Sequence, residues 1–390
     1  MEIRATAVIR KGREISVQRF HPWIFSGAIQ NMEGELGDGD WVEVKDQKNK
    51  VLGYGHFQKG SISIRMLSFD REKPGVHFWT EKIHRALQVR KSIGLPGTAT
   101  NCYRLIHGEG DGLPGLIIDV YGNAAVVQAH SAGMQKDRNE ITSALQHVFG
   151  AELKSNYFKS AGRDEGKEGE YLFATGSVPH IVHENGNKFY VDWEGGQKTG
   201  FFLDQRDNRK LLGRYSANRR MLNTFCYTGG FTIYALHAGA QLVHSVDASE
   251  KAIDLTRSNI ALNGFNAQEH LCFVDDTFEF LKNKKGQYDL IVLDPPAFAK
   301  HKDARHQAMK GYQRLNAEAM RMIAPQGIIF TFSCSQVVDR KLFYDTVVSA
   351  GIQAGREIKV LHHLSQPADH PVSLFHPEGE YLKGLVLFVK

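Results

Sequence analysis

Residues 221–231 read Met221-Leu222-Asn223-Thr224-Phe225-Cys226-Tyr227-Thr228-Gly229-Gly230-Phe231. An apolar strand over Met221–Phe225 runs into a glycine pair and then into a helix near Phe231–Ala238. Glycines at that junction let the backbone turn sharply and approach a ligand closely; the plainer alternative is a simple strand-to-helix turn. Downstream the pattern repeats as strand Leu242–Asp247, a helix from Lys251, strands Leu271–Val274 and Tyr288–Leu293, a helix near Gln313–Ile323, and strand Gly327–Phe332. Strands alternating with helices predict an α/β, doubly wound parallel sheet over residues 182–390. Ligands of such sheets sit at the carboxyl ends of the strands. Chemistry is therefore expected where each strand stops.

The first strand ends in the glycine turn, which lacks the GxGxxG spacing of a nicotinamide site. The second ends in Asp247-Ala248-Ser249. An acidic residue there can bind ribose hydroxyls. It can also cap the next helix, but Ser249 is available as the cap and would free Asp247. The third strand ends in Asp275-Asp276, either solvated turn residues or an acceptor for an adenine amino group. Asp276, further beyond the strand, is the candidate. The fourth ends in Leu293-Asp294-Pro295-Pro296-Ala297-Phe298, where two prolines fix a rigid loop that suits a planar nitrogenous group. The fifth ends in Phe332-Ser333-Cys334-Ser335. A cysteine is often an inert core residue, yet this position suits a nucleophile. Cys226 lies in the turn, Cys272 within a strand and Cys102 in another region.

Outward from this core, 390 residues predict two or three domains at roughly 100–200 residues each. A hydrophobic fraction of 42% and a charged fraction of 23% are those of an ordinary globular chain. The net charge of +5 permits a nucleic-acid partner without demanding one. Four scattered cysteines without a CxxC pair argue against a zinc site or a disulfide framework, so no metal is expected. Met1-Glu2-Ile3-Arg4 is not followed by a signal-peptide core. No run approaches the roughly 18 apolar residues of a membrane span. A cytoplasmic protein with no membrane partner is expected.

Residues 1–70 hold short β-like runs, Ile3–Ile9, Trp41–Lys45, Val51–Phe57 and Ser61–Leu67, and read as a small β-barrel. Lys11, Arg13, Arg19, His21 and Trp23 place basic and aromatic groups together there, as RNA-binding modules do; Trp23 is otherwise a core residue. Residues 71–181 read as a small α+β module with a helix over Phe78–Ile93, β segments at Tyr103–Ile106, Gly115–Val120 and Ala124–Ala129, and a helix near Lys136–Phe149. The charged run Ala161–Glu170 reads as an exposed loop or hairpin tip.

These residues resemble a known family. Residues 182–390 resemble the class I methyltransferase fold, and the whole chain resembles the RlmI-type 23S ribosomal RNA cytosine-C5 methyltransferases. His21-Pro22-Trp23-Ile24-Phe25-Ser26-Gly27-Ala28-Ile29 looks like the opening of that family's PUA domain. The stretch from Tyr103 through His107-Gly108-Glu109-Gly110-Asp111-Gly112 to Leu116 looks like its central signature. Gly200-Phe201-Phe202-Leu203-Asp204-Gln205-Arg206-Asp207-Asn208-Arg209 looks like the lead into its catalytic core.

The resemblance implies S-adenosylmethionine as cofactor and ribosomal RNA of the large subunit as partner. It implies a cofactor pocket lined by Gln205, Arg206, Asn223, Phe225, Tyr227, Thr228 and Gly229, with Asp247 and Ser249 by the ribose, Asp276 by the adenine, and Asp294 at the pocket and the target base. Cys334 would be the nucleophile. The second cysteine of other RNA cytosine-C5 methyltransferases is absent, which leaves the proton-removing base unassigned. A thiolate adding at carbon 6 of cytosine would activate carbon 5 for methylation, and the base would have to leave its stack. Three other readings stand beside this one: methylation of a ring or exocyclic nitrogen of adenine or guanine, which needs no cysteine; a non-catalytic RNA-binding protein; and a nicotinamide dehydrogenase, disfavoured by the missing GxGxxG. The oligomeric state is open, a homodimer included.

Overall fold

The computed structural model describes residues 2–160, 169–266, 270–282, 287–299 and 301–390. Of the expected loop Ala161–Glu170, residues 161–168 lie outside the described residues. The chain forms two compact units, drawn differently from the three expected segments. One comprises Met1–His180, Val191–Phe201 and Ala368–Gly379; the other comprises Ile181–Tyr190, Phe202–Pro367 and Glu380–Lys390.

The first unit opens with β1 (Ile3–Ile9), α1 (Glu14–Gln18), β2 (Trp23–Phe25), β3 (Ile29–Glu33), β4 (Trp41–Lys45), β5 (Val51–Phe57) and β6 (Ile62–Ser68). The six strands form one sheet in the order β2-β6-β5-β4-β1-β3. Alternation along β1 buries Ala5, Ala7 and Ile9, the period-2 signature of a half-buried strand. Next come α2 (Phe78–Ser92), β7 (Cys102–His107), β8 (Leu116–Tyr121), β9 (Ala124–Ala129), α3 (Ala132–Lys136), α4 (Arg138–Phe149), β10 (Ser155–Ser160) and β11 (Glu170–Phe173). β7–β11 form a five-stranded sheet. Trp41, Tyr54 and Leu67 share a core with Phe78, Trp79 and Ile83. The Trp41 indole and His56 both hydrogen-bond Asp137, at 2.8 and 3.0 Å. Packing therefore runs straight through the expected seam at Asp70. Arg90 bonds Asp111 and the Asp369 carbonyl, and the Arg104 amide donates to the Asp369 carboxylate. These contacts bring Ala368–Gly379 into this unit.

The second unit holds, apart from the end residues His180 and Val191, the hairpin β12 (His180–Glu184) and β13 (Asn187–Val191), then α5 (Arg206–Gly213), β14 (Arg220–Thr224), α6 (Gly230–His237), β15 (Leu242–Asp247), α7 (Glu250–Leu262), β16 (Cys272–Val274), α8 (Thr277–Lys282), β17 (Leu290–Leu293), α9 (Arg305–Met322), β18 (Gly327–Ser333), α10 (Arg340–Ala354), β19 (Ile358–Ser365) and β20 (Lys383–Val389). The seven-stranded sheet runs β16-β15-β14-β17-β18-β20-β19. Every residue of β17 and β18 is buried, as expected for central strands covered on both faces. The sheet is not wholly parallel as expected: β20 pairs antiparallel with both β18 and β19. Entering between them from the opposite direction, β20 brings its first residue, Lys383, opposite Ser333.

Candidate active site

The turn after β14 is built under strain. Phe225 and Tyr227 sit at φ 54° and 47°, and Gly229 at 72°. A left-handed non-glycine residue costs about 1–2 kcal/mol, so the surroundings must impose two of them. They do so from α7: the Thr256 hydroxyl donates to the Tyr227 carbonyl at 2.9 Å and the Asn259 amide to the Thr228 carbonyl at 2.8 Å. A Cβ at Gly229 would lie 2.8 Å from Thr256 Cγ2, so packing as well as conformation requires glycine there. From the other side, Asp247 Oδ2 accepts the Tyr227 amide at 3.0 Å. Asp247 Oδ1 accepts the Ser249 amide at 3.0 Å, and the Ser249 hydroxyl caps α7 through the Ala252 amide at 3.3 Å. Ser249 is therefore the cap of α7, and Asp247 braces the turn from β15.

Other expected residues are placed less directly. Asn223 is buried beneath the turn, its amide donating to Thr232 at 2.9 Å and its Oδ1 left without a partner. Thr228 is buried, while Phe225 packs against the sheet core. Asp276 is exposed, and its Oδ1 accepts the amides of Phe278 and Glu279 at 2.9 and 3.1 Å; it caps α8. Arg206 is buried at the start of α5, its Nε 3.5 Å from Asp207. Cys226 is unsuited to act as a nucleophile, because desolvation pushes its buried thiol far above the ordinary range.

The Asp294 and Cys334 loops follow the adjacent strands β17 and β18. The Gln205 amide donates to Asp294 Oδ1 at 3.0 Å, and the Asn208 amide to Gln205 Oε1 at 2.7 Å. This relay fixes the orientation of the Asp294 carboxyl. Cys334 Sγ lies 4.0 Å from the Pro295 carbonyl, and the Ser335 hydroxyl donates to the Ala299 carbonyl at 2.7 Å. The two loops are thus cross-tied at the sheet edge. Sequence reasoning missed two neighbours. Tyr312, buried on α9, has its phenol pushed up to about 12 by burial, with the charges of Cys334 and Asp294 acting the same way; it stays protonated. Lys383 donates to the carbonyls of Ser335 and Val338, both at 2.6 Å. Neither has a local sequence signal, because each reaches the loop from a distant element.

Along the strand ends the order is Asp276, Asp247, the strained turn, Asp294, Cys334. Four strand spacings of about 4.8 Å put roughly 19 Å between the first and last. Carboxylates over one half and a strained turn at the centre fit a nucleoside cofactor laid along this edge. Among the described residues no His, Cys, Asp or Glu cluster is arranged to hold a metal, and no helix is long and apolar enough to cross a membrane.

Residues 164–375 match the S-adenosylmethionine-dependent methyltransferase family, and residues 7–69 match the PUA-like domain. Proteins called ribosomal RNA large subunit methyltransferase I resemble the chain throughout. The one from Aeromonas hydrophila is 40% identical over 98% of this chain and 99% of its own. The one from Pseudoalteromonas atlantica is 41% identical over 97% and 98%. Among solved structures, a protein from Streptococcus mutans described as a SAM-dependent methyltransferase superposes over the full length of both chains with a TM-score of 0.84 at 22% identity. A methyltransferase solved in complex with SAH does so with a TM-score of 0.85, also at 22%. With its cofactor edge, its PUA-like N-terminal segment and this full-length similarity, the chain belongs to the S-adenosylmethionine-dependent methyltransferases, in the family of ribosomal RNA large subunit methyltransferase I.

Proposed function

We propose that this enzyme methylates carbon 5 of a cytosine in 23S ribosomal RNA, in the cytoplasm, through a covalent adduct with Cys334. The observation that carries the reading is the cross-tie between the Cys334 and Asp294 loops at adjacent strand ends. The relatives' names, which specify the large-subunit ribosomal RNA, supply the substrate class. Residues 1–70 serve as an RNA-binding PUA module, 71–181 as a central α+β module and 182–390 as the catalytic one. All the proposed catalytic groups come from one chain, so a homodimer is not required for chemistry.

The Cys334 thiolate adds to carbon 6 of the unstacked cytosine, and the ring pair moves toward carbon 5. Asp294, held by Gln205, hydrogen-bonds the ring nitrogen or amino group and stabilises the adduct. Bound S-adenosylmethionine supplies an electrophilic methyl group. Gln205, Arg206, the 223–229 turn, Asp247, Ser249 and Asp276 would hold it, with Asp247 toward the ribose and the second oxygen of Asp276 toward the adenine. Loss of the carbon 5 proton to water or a general base then returns the bond pair and expels the thiolate.

Cys334→Ala is expected to abolish turnover on large-subunit RNA while leaving S-adenosylmethionine affinity, read by calorimetry, within about two-fold. Full methyl transfer by that variant would sink the covalent mechanism. A methylated adenine or guanine nitrogen in the product would replace it with the nitrogen-methylation reading.

A further inference from the structure

We propose that Lys383 is a positioning residue for Cys334, whose ammonium clamps the loop carrying the thiol and supplies the positive charge beside which the thiolate forms. The inference rests on the reading of Cys334 as nucleophile.

Lysine is almost never fully buried unless paired, yet Lys383 is only 4% exposed. Its hydrogen-bond partners are two neutral carbonyls, Ser335 and Val338. Among the described residues no carboxylate lies within ion-pair distance of it. The cation therefore bridges the carbonyls of Ser335 and Val338, with Cys334 immediately before the first of them. It arrives there because β20 pairs Lys383 with Ser333, the last residue of β18. Gly384 makes that approach feasible, since a Cβ there would lie 2.5 Å from the Phe332 ring. A buried ammonium without a counter-ion is costly, and a thiolate formed beside it offsets that cost.

The charged groups facing Lys383 are Cys334, Asp339 and Arg340 at the head of α10, and Glu380 before β20. Arg340 pairs with Glu380, and Asp339 caps α10 through the Leu342 amide at 2.8 Å. Burial pulls the lysine down to about 8, and Cys334 is the foremost group opposing that fall. A cleft of about 360 Å³ is bordered by Arg340, Tyr344, His363 and Lys383. Two opposed titrations follow. Rising pH ionises the thiol, but above about 8 it also discharges the lysine that favours the thiolate.

The test is the pH dependence of Cys334 alkylation by iodoacetamide in the full chain without RNA. Peptide mapping separates Cys334 from Cys272, which is also partly exposed. Lys383→Met and Lys383→Gln are expected to shift Cys334 ionisation upward by about one pH unit, which slows alkylation near pH 7 roughly tenfold. Lys383→Arg, which keeps the charge, is expected to restore most of the rate. Turnover should follow the same order, through kcat rather than the KM for RNA. A Lys383→Gln or Lys383→Met profile coinciding with wild type, or Lys383→Arg as slow as Lys383→Gln, would overturn the proposal. Full turnover by Cys334→Ala would remove the nucleophile reading instead, so the two failures are distinct.

Discussion

Asp247 and Asp276 end neighbouring strands, and the same side-chain chemistry does different work at each. Asp276 spends one oxygen on the first amides of α8, an N-cap by position and by bond. The rule that assigns Ser249 to cap α7 applies equally to Asp276 ahead of Thr277, so the cap was legible. Asp247 spends its oxygens on Tyr227 and Ser249, and the first of these bonds could not be read from sequence, because it depends on the left-handed turn at Phe225 and Tyr227. Asp247→Ala removes the brace for the turn and, on the proposed reading, the ribose acceptor. Its affinity for S-adenosylmethionine is expected to fall at least tenfold by calorimetry; affinity within two-fold of wild type would remove Asp247 from the site. Trp23 shows the same gap. Its indole donates to Glu109 at 2.9 Å and its ring meets His376 edge-on at 4.3 Å, so it is committed to packing, while Phe20 and Phe25 nearby stay about half exposed.

At the scale of elements, those with strong periodicity or unbroken apolar runs stand within a residue or two of where the pattern puts them, as in α2, β9, β15 and β18. The short ones, α1, β2 and the β12–β13 hairpin, carry too few residues to show a period. The direction of β20 is not encoded locally at all. Its run Lys383–Val389 marks a buried strand, and only the sheet decides that it enters antiparallel. The hairpin's role also becomes visible only in three dimensions. Glu184, at the end of β12, takes a two-pronged bond from Arg209 of α5 at 2.8 and 2.7 Å, and the Tyr234 hydroxyl of α6 at 3.0 Å. Both charged groups are almost fully buried. Glu184→Ala leaves a buried guanidinium without its partner and is expected to cost about 3–5 kcal/mol in denaturant unfolding. The apolar double replacement Glu184→Leu with Arg209→Met should recover most of that loss. A cost below about 1 kcal/mol for the single variant would show that α5 is held by other contacts.

At the scale of the whole molecule, texture along the chain separates three segments, whereas packing makes two units. The difference lies in short excursions. Val191–Phe201 and Ala368–Gly379 leave the catalytic half of the sequence and pack with the first unit, the latter fastened by Arg90 and Arg104. No local pattern marks such a return, because what fixes it is a bond to residues more than 260 positions away. The positions of Asp294 and Cys334, the residues proposed as catalytic, follow more directly from the alternating pattern, since a doubly wound sheet gathers its strand ends at one edge whatever the loops do. The central claim, carbon 5 methylation of cytosine by way of Cys334, is tested most directly by nucleoside mass spectrometry of 23S ribosomal RNA. The RNA would come from cells lacking this protein and from the same cells supplied with wild type or Cys334→Ala. The account predicts one 5-methylcytidine that is absent without the protein, restored by wild type and not by the variant. Restoration by Cys334→Ala, or a protein-dependent methyl group on an adenine or guanine nitrogen, would contradict it.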